Sequence, residues 1–235
     1  MSGDASPGRR VLELVAVMDR LRSPGGCPWD AEQTHATLMP YLLEEAYEAY
    51  EALEHGDLDA LREELGDVLL QVAFHARLAE ELPEDERWSI DDVAGHLVDK
   101  MVRRHPHVFA GVAVSGAAEV HANWDQIKRA EKDRESVTDG VPMGQPALTL
   151  AATLQRKAAR LDLPPDALPA GSDLGRRLWA LVAEARAAGL DAEAELRADA
   201  RAFRDAVVGA ERAARADGHD PAALTAADWP RYLAR

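Results

Sequence analysis

The chain has 235 residues and a formal net charge of -15, from 42 acidic and 27 basic side chains. A charge of that sign excludes a general binder of nucleic-acid polymers or of anionic membrane surfaces, because a polyanion is repelled. Apolar residues make up 47% and aromatics 5%, with Ala, Leu, Glu and Arg abundant, which favours helices packed on helices over sheet.

Residues 1–10 (MSGDASPGRR) are polar and Gly/Pro-rich and are expected to be loose. They lack the apolar core of a signal peptide, and no run of about 18 apolar residues follows anywhere. Cys27 is the only cysteine, so an intramolecular disulfide is excluded and a reducing, cytoplasmic location is expected. From Val11 to Leu21 apolar residues recur at helical spacing (Leu14, Val17, Met18, Leu21), until Ser23-Pro24-Gly25-Gly26 stops the pattern. Cys27 to Asp30 reads as a compact loop. Thr37 to His55 reads as a second helix closed by Gly56, and a third runs from Leu58 to about Glu81, capped by Asp57 or Asp59. A fourth starts after Ser89 or Asp91 and ends near His105, since Pro106 cannot continue it. Val108 to Gly116 reads as loop, and Glu119 to Glu135 as helix again. Turn residues mark 136–147 as a linker; beyond it Leu148–Leu161 and Asp173–Gly218 read as helical, separated by the Pro-rich DLPPDALPAGS. A short helix carrying Trp229 ends the chain.

The informative pattern is Glu44-Glu45-x-x-Glu48 followed by Glu63-Glu64-x-x-Asp67. Residues three apart on a helix share a face, so Glu45 points with Glu48 and Glu64 with Asp67. Glu48 precedes Gly56 by eight residues and Glu64 follows Asp57 by seven. At about 1.5 Å per residue both sit roughly 11 to 12 Å from the turn, with Glu45 and Asp67 matched one turn further on. Two antiparallel helices then bring four carboxylates to one level. Without a cation such like charges raise each other's pKa, and their hard oxygens suit Mg2+ or Mn2+ beside a substrate phosphate. The competing reading is a solvated acidic face on two surface helices.

Around residue 100 the charge reverses, with Lys100, Arg103 and Arg104, then Lys128, Arg129 and Lys132 after Trp124. Lys100 and Arg104, at i and i+4, suit the oxygens of a triphosphate or equally well ordinary surface ion pairs. Trp124 suits stacking on a base or filling a core.

Taken together, GCPWDAEQTHATLMPYLLEEAYEAYEAL, LREELGDVLLQVAFHARLAEE, DKMVRRHPHVF and NWDQIK, in that order over residues 11–132, resemble the MazG family of nucleoside triphosphate pyrophosphohydrolases. The resemblance implies an all-α, MazG-like helical bundle that forms a homodimer, with the active site in a four-helix arrangement. It implies Mg2+-dependent cleavage of NTPs or dNTPs to monophosphate and pyrophosphate, with Mn2+ as a substitute. It implies Glu45, Glu48, Glu64 and Asp67 as metal ligands, with Glu44, Glu63, Lys100, Arg104, Trp124 and Lys128 lining the nucleotide site. Glu44 or Glu63 is the candidate assisting base, since each neighbours a ligand without being needed on the metal face.

Longer members of the family carry two modules in tandem, and the second half here echoes the first. LVAVMDRLRSPGGCPWD is matched by LAATLQRKAARLDLPPD, ELGDVLLQVAFHARLAE by DLGRRLWALVAEARAAG, and Trp124 by Trp229. No EExxE lies between Leu161 and Leu174, and Arg176 stands at the position of Asp67. The expected organisation is therefore a loose 1–10, a catalytic MazG-like module at 11–135, a linker at 136–147, and a shortened, degenerate module at 148–235 serving packing or dimerisation. Two rivals to the hydrolase reading stand. One is a di-iron bundle, for which the chain offers a single Glu-x-x-His, Glu32 to His35. The other is a non-catalytic helical protein that binds nucleotides or oligomerises.

Overall fold

The computed structural model describes residues 7–117, 119–120, 123–124, 127, 135–161, 163 and 171–233. The chain is all-α, and no strand occurs among the described residues. It divides into two units, Met1–Ile127 and Lys128–Arg235.

In the first unit α1 spans Arg9–Arg22, beginning two residues inside the segment expected to be loose. Its chain exit is tight. The Cys27 N–H donates to the Leu21 carbonyl at 2.7 Å, and a Cβ added at Gly26 would meet that same oxygen at 2.2 Å. Only glycine fits so close an approach. Next comes a five-residue helix, α2 (Pro28–Glu32), where a loop was expected. Pro28 sits at its first position, where the missing N–H is not needed, and so short a helix displays no periodicity.

Helix α3 (His35–His55) starts two residues before the expected Thr37. Thr34 caps it by accepting from the Thr37 N–H at 3.2 Å, while Thr37 Oγ1 accepts from the Thr34 N–H at 2.9 Å. Gly56 ends it with φ 67°, and the Asp57 N–H donates back to the Ala52 carbonyl at 3.0 Å. Asp57 in turn caps α4 (Leu58–Ala79) through the N–H groups of Asp59 and Ala60. With one residue between helix end and cap, α3 and α4 fold back as an antiparallel hairpin, the most extensive helix pairing in the structure.

Ser89 caps α5 (Ile90–Arg104) in a reciprocal box with Asp92. Pro106 opens a four-residue helix, α6 (Pro106–Phe109), which takes in Val108 and Phe109 from the segment expected to be loop. Residues 121–122, 125–126 and 128–134 of the expected Glu119–Glu135 helix lie outside the described residues.

Met18 of α1, Leu38 of α3, and Phe74 and Leu78 of α4 form the core of this unit, with Leu21 and Leu70 packed against them. Burial of each such side chain contributes about 1.5–3 kcal/mol. The α1–α4 junction is also pinned by Arg22. Its guanidinium donates to both carboxylate oxygens of Glu81 at 3.0 and 2.8 Å, to the carbonyls of Asp30 and Gln33, and lies 5.7 Å from the Phe74 ring centre.

The second unit contains α7 (Ala147–Ala158), α8 (Asp173–Ala187), α9 (Ala192–Ala216), a 3-10 turn at Pro221–Ala223, and α10 (Pro230–Leu233) directly after Trp229. The stretch Asp173–Gly218, expected to be helical, forms two helices. The Leu190 N–H turns back to the Ala185 carbonyl, and Asp191 then caps α9 through the N–H groups of Glu193 and Ala194. Ala210 and Ala214 of α9 pack with Tyr232, Trp229 and Leu224. Among the described residues no helix is long and apolar enough to cross a membrane.

Candidate active site

The α3–α4 hairpin carries the acidic residues to one place. Ligand oxygens of Glu45, Glu48 and Glu64 all lie within 4.8 Å of one another. At that spacing ionised carboxylates repel one another unless a proton or a cation stands between them. Burial, then the charges of Asp67, Glu48 and Glu64, holds the Glu45 carboxyl above its ordinary value of 4.5. Glu64 is raised as well, by burial, then Glu48, Asp67 and Glu63. Asp67 is outside the close set of three, but its charge reaches both of these residues.

Oxygens sharing one Mg2+ at about 2.1 Å lie at most roughly 4.2 Å apart, so a small inward movement of rotatable side chains would place these three around a single ion. The donor set is all oxygen, anionic and half open to solvent, which fits Mg2+ or Mn2+ and not a thiolate- or imidazole-seeking metal. Among the described residues it is the one group of three or more metal-binding side chains.

The other expected site residues divide by position. Glu44 on α3 and Glu63 on α4 are exposed and outside the cluster, though the Glu63 charge raises Glu64. Lys100 and Arg104 lie one helical turn apart on α5, both half-buried, and α5 packs on α4, which bears Glu64 and Asp67. Trp124 is half-buried and stands edge-on to His105, ring centres 4.9 Å apart at 88°. Lys128 lies outside the described residues. In the second unit Arg176, at the position matching Asp67, is bonded to the Gly171 carbonyl and to Asp173.

Sequence reading missed one constellation. His35 and His75 place their Nδ1 atoms 2.7 Å apart with parallel rings, and Trp88 stacks beside His35 at 6.3 Å. Burial, then the His35 charge, holds His75 below the usual 6.5. The two are 40 residues apart, and the one available signal was the position of His75 on the inward stripe of α4 with Gln71 and Leu78. The Glu32–His35 pair considered for a di-iron site is split, with Glu32 ending α2 and His35 opening α3.

The α3–α4 hairpin thus gathers three carboxylates that could hold a cation, in an all-α protein whose α5, packed on α4, bears Lys100 and Arg104. Residues 33–109, which contain both acidic helices and α5, match the MazG nucleotide pyrophosphohydrolase domain. The chain belongs to the MazG family. It is 50% identical over 206 residues to a Streptomyces cacaoi protein described as an uncharacterized 26.1 kDa protein in the blaB 3' region, covering 87% of this chain and 84% of that one. It is 45% identical over 207 residues to a nucleoside triphosphate pyrophosphohydrolase of Mycolicibacterium smegmatis, covering 87% of this chain and 60% of the relative. A protein of the same name from Escherichia coli K12 is 45% identical over 156 residues, 65% of this chain and 58% of its own length. The chain thus spans about three fifths of those two named relatives.

Proposed function

We propose that this chain is a nucleoside triphosphate pyrophosphohydrolase that converts NTPs or dNTPs to monophosphate and pyrophosphate with Mg2+, Mn2+ being an able substitute. The observation that carries the reading is the convergence of Glu45, Glu48 and Glu64 within 4.8 Å, inside the matched family domain. The names of the M. smegmatis and E. coli relatives support it.

In this reading Glu45, Glu48, Glu64 and Asp67 hold the metal. Bound there, Mg2+ neutralises developing phosphate charge and lowers the pKa of a water. Lys100 and Arg104 hold phosphoryl oxygens and stabilise their charge in the transition state. Glu44 or Glu63 takes the proton of the attacking water as its oxygen bonds to phosphorus. The anhydride bond between the α and β phosphates breaks, its bonding pair going to the bridging oxygen, which leaves with the phosphate that is not attacked. Trp124 stacks on the base and Lys128 adds a phosphate contact. The site of action is the cytoplasm.

A homodimer belongs to the same proposal. On α3 and α4 the large apolar side chains Leu43, Leu53, Leu58 and Leu65 are more than half exposed, an apolar surface of the kind that a second copy covers. Light scattering of the purified protein should give twice the mass of the 25.5 kDa chain.

The deciding experiment is pyrophosphate release from a panel of NTPs and dNTPs with Mg2+, wild type against Glu48→Ala and Asp67→Ala. Wild-type turnover to monophosphate and pyrophosphate is expected, with each variant reduced at least about a hundredfold. Nucleotide binding by folded wild-type protein without turnover would replace the hydrolase by a non-catalytic nucleotide-binding protein.

A further inference from the structure

The second unit carries 17 acidic and 17 basic side chains, so the formal charge of -15 resides in the first. The second unit by itself adds no net charge that would repel a small anion. Several of its arginines are engaged: Arg176 with Asp173, Arg197 with Glu193, Arg204 with Asp205, Arg215 with Glu211, Arg231 with Asp217. Arg156 and Arg186 make no ion pair with any described residue, and both line one cavity of about 400 Å³.

Helical spacing builds this cavity. Thr149, Ala152, Thr153 and Arg156 fall at i, i+3, i+4 and i+7 of α7, and Val182 and Arg186 at i and i+4 of α8. Leu190, Asp191 and Ala192 close it at the start of α9, a 25-residue helix whose N-terminal end adds partial positive charge. Asp191 brings a carboxylate, but its Oδ1 already accepts from the Glu193 and Ala194 N–H groups at 2.9 and 3.2 Å. The balance is two unpaired guanidiniums against one engaged anion, with two hydroxyls alongside and an apolar wall of Ala152, Val182 and Leu190. Guanidinium forks match phosphate oxygens, and the volume falls within the roughly 300–1,000 Å³ of small-molecule pockets.

We propose that this cavity is a second ligand site, for a small phosphate monoester of the nucleoside monophosphate class. Arg156 and Arg186 grip the phosphate with help from the Thr149 and Thr153 hydroxyls, and the organic group lies on the apolar wall. The cavity contains no carboxylate cluster, so binding here needs no divalent cation and does not depend on the hydrolase reading.

The test is calorimetric titration of the full chain with adenosine monophosphate in EDTA. Wild type, Arg156→Ala and Arg156→Ala/Arg186→Ala are compared, and inorganic phosphate serves as a second titrant. One site per chain is expected, weakened at least about tenfold in the double variant and less in the single one, with the nucleotide held more tightly than phosphate. Glu48→Ala, altered in the other unit, should bind the monophosphate as wild type does. Absence of binding to wild type, unchanged binding by the double variant, equal affinity for inorganic phosphate, or loss of binding in Glu48→Ala would each overturn the proposal. Both arginines are exposed and unpaired among the described residues, so the variants keep the fold, which circular dichroism checks.

Discussion

Glu48 shares its cluster with Glu45 and Glu64, their ligand oxygens within 4.8 Å of one another, and the mutual repulsion of such carboxylates is relieved by a cation. Both flanking carboxyls are held above 4.5 in the folded protein, so the native state keeps protons that the unfolded chain has released. Stability from this cluster is therefore lost as pH rises through 4.5 towards neutrality. His75 acts in the opposite sense. Its folded value is below 6.5, so its contribution is lost as pH falls through 6.5. A comparison of wild type with Glu48→Gln isolates the cluster from such other groups. Melting temperatures should show that metal-free Glu48→Gln gains on wild type as pH rises from 4.5 to 7.5. Added Mg2+ should raise the wild-type melting temperature at pH 7.5, act less at pH 5, and leave Glu48→Gln unmoved; an equal Mg2+ response in the variant would dissociate the metal from these residues.

At the scale of elements, the long helices and their ends were legible because their signals are local. Asp57, Ser89 and Gly56 occupy the positions where caps are read from sequence, and the structure uses each of them in that role. The short helices α2 and α6 were not legible, since four or five residues show no period. What holds α2 in place is Arg22, whose guanidinium reaches the carbonyls of Asp30 and Gln33 at its end and the carboxylate of Glu81 after α4. The Arg22 side chain is 5% exposed and Glu81 is 42% exposed, so solvent screens the pair on one side. Arg22→Ala is expected to cost about 2 kcal/mol in urea unfolding, from the stranded carbonyls together with the lost pair. Hydrogen bonding from Arg22 is the first cause holding Glu81 below 4.5. The stability it brings is present above 4.5 and lost as pH falls below that, so the variant's deficit should shrink in acid.

For the whole molecule, acidity and site lie in one unit and a charge-neutral helical unit follows. The core of Met18, Leu38, Phe74 and Leu78 is made wholly from α1, α3 and α4, and the carboxylate cluster from α3 and α4. Neither draws on residues beyond 127. A chain ending at residue 135 is therefore expected to stay folded, dimeric and active in pyrophosphate release, as circular dichroism, light scattering and the same assay would report. Unfolding or dissociation of that fragment would assign the second half a role in holding the first together.

The amino-acid sequence by itself determined the all-α class, the caps, the hairpin and the convergence of Glu45, Glu48 and Glu64. These follow from a fixed rise per residue and from groups a few positions apart. Tertiary structure alone decided that Asp67 stands outside the tight set, that His75 meets His35, and that Arg22 reaches Glu81 59 residues away. It also decided that Arg156 and Arg186 share a cavity. Such pairings depend on how helix faces turn towards each other across long separations, and no local spacing encodes that rotation.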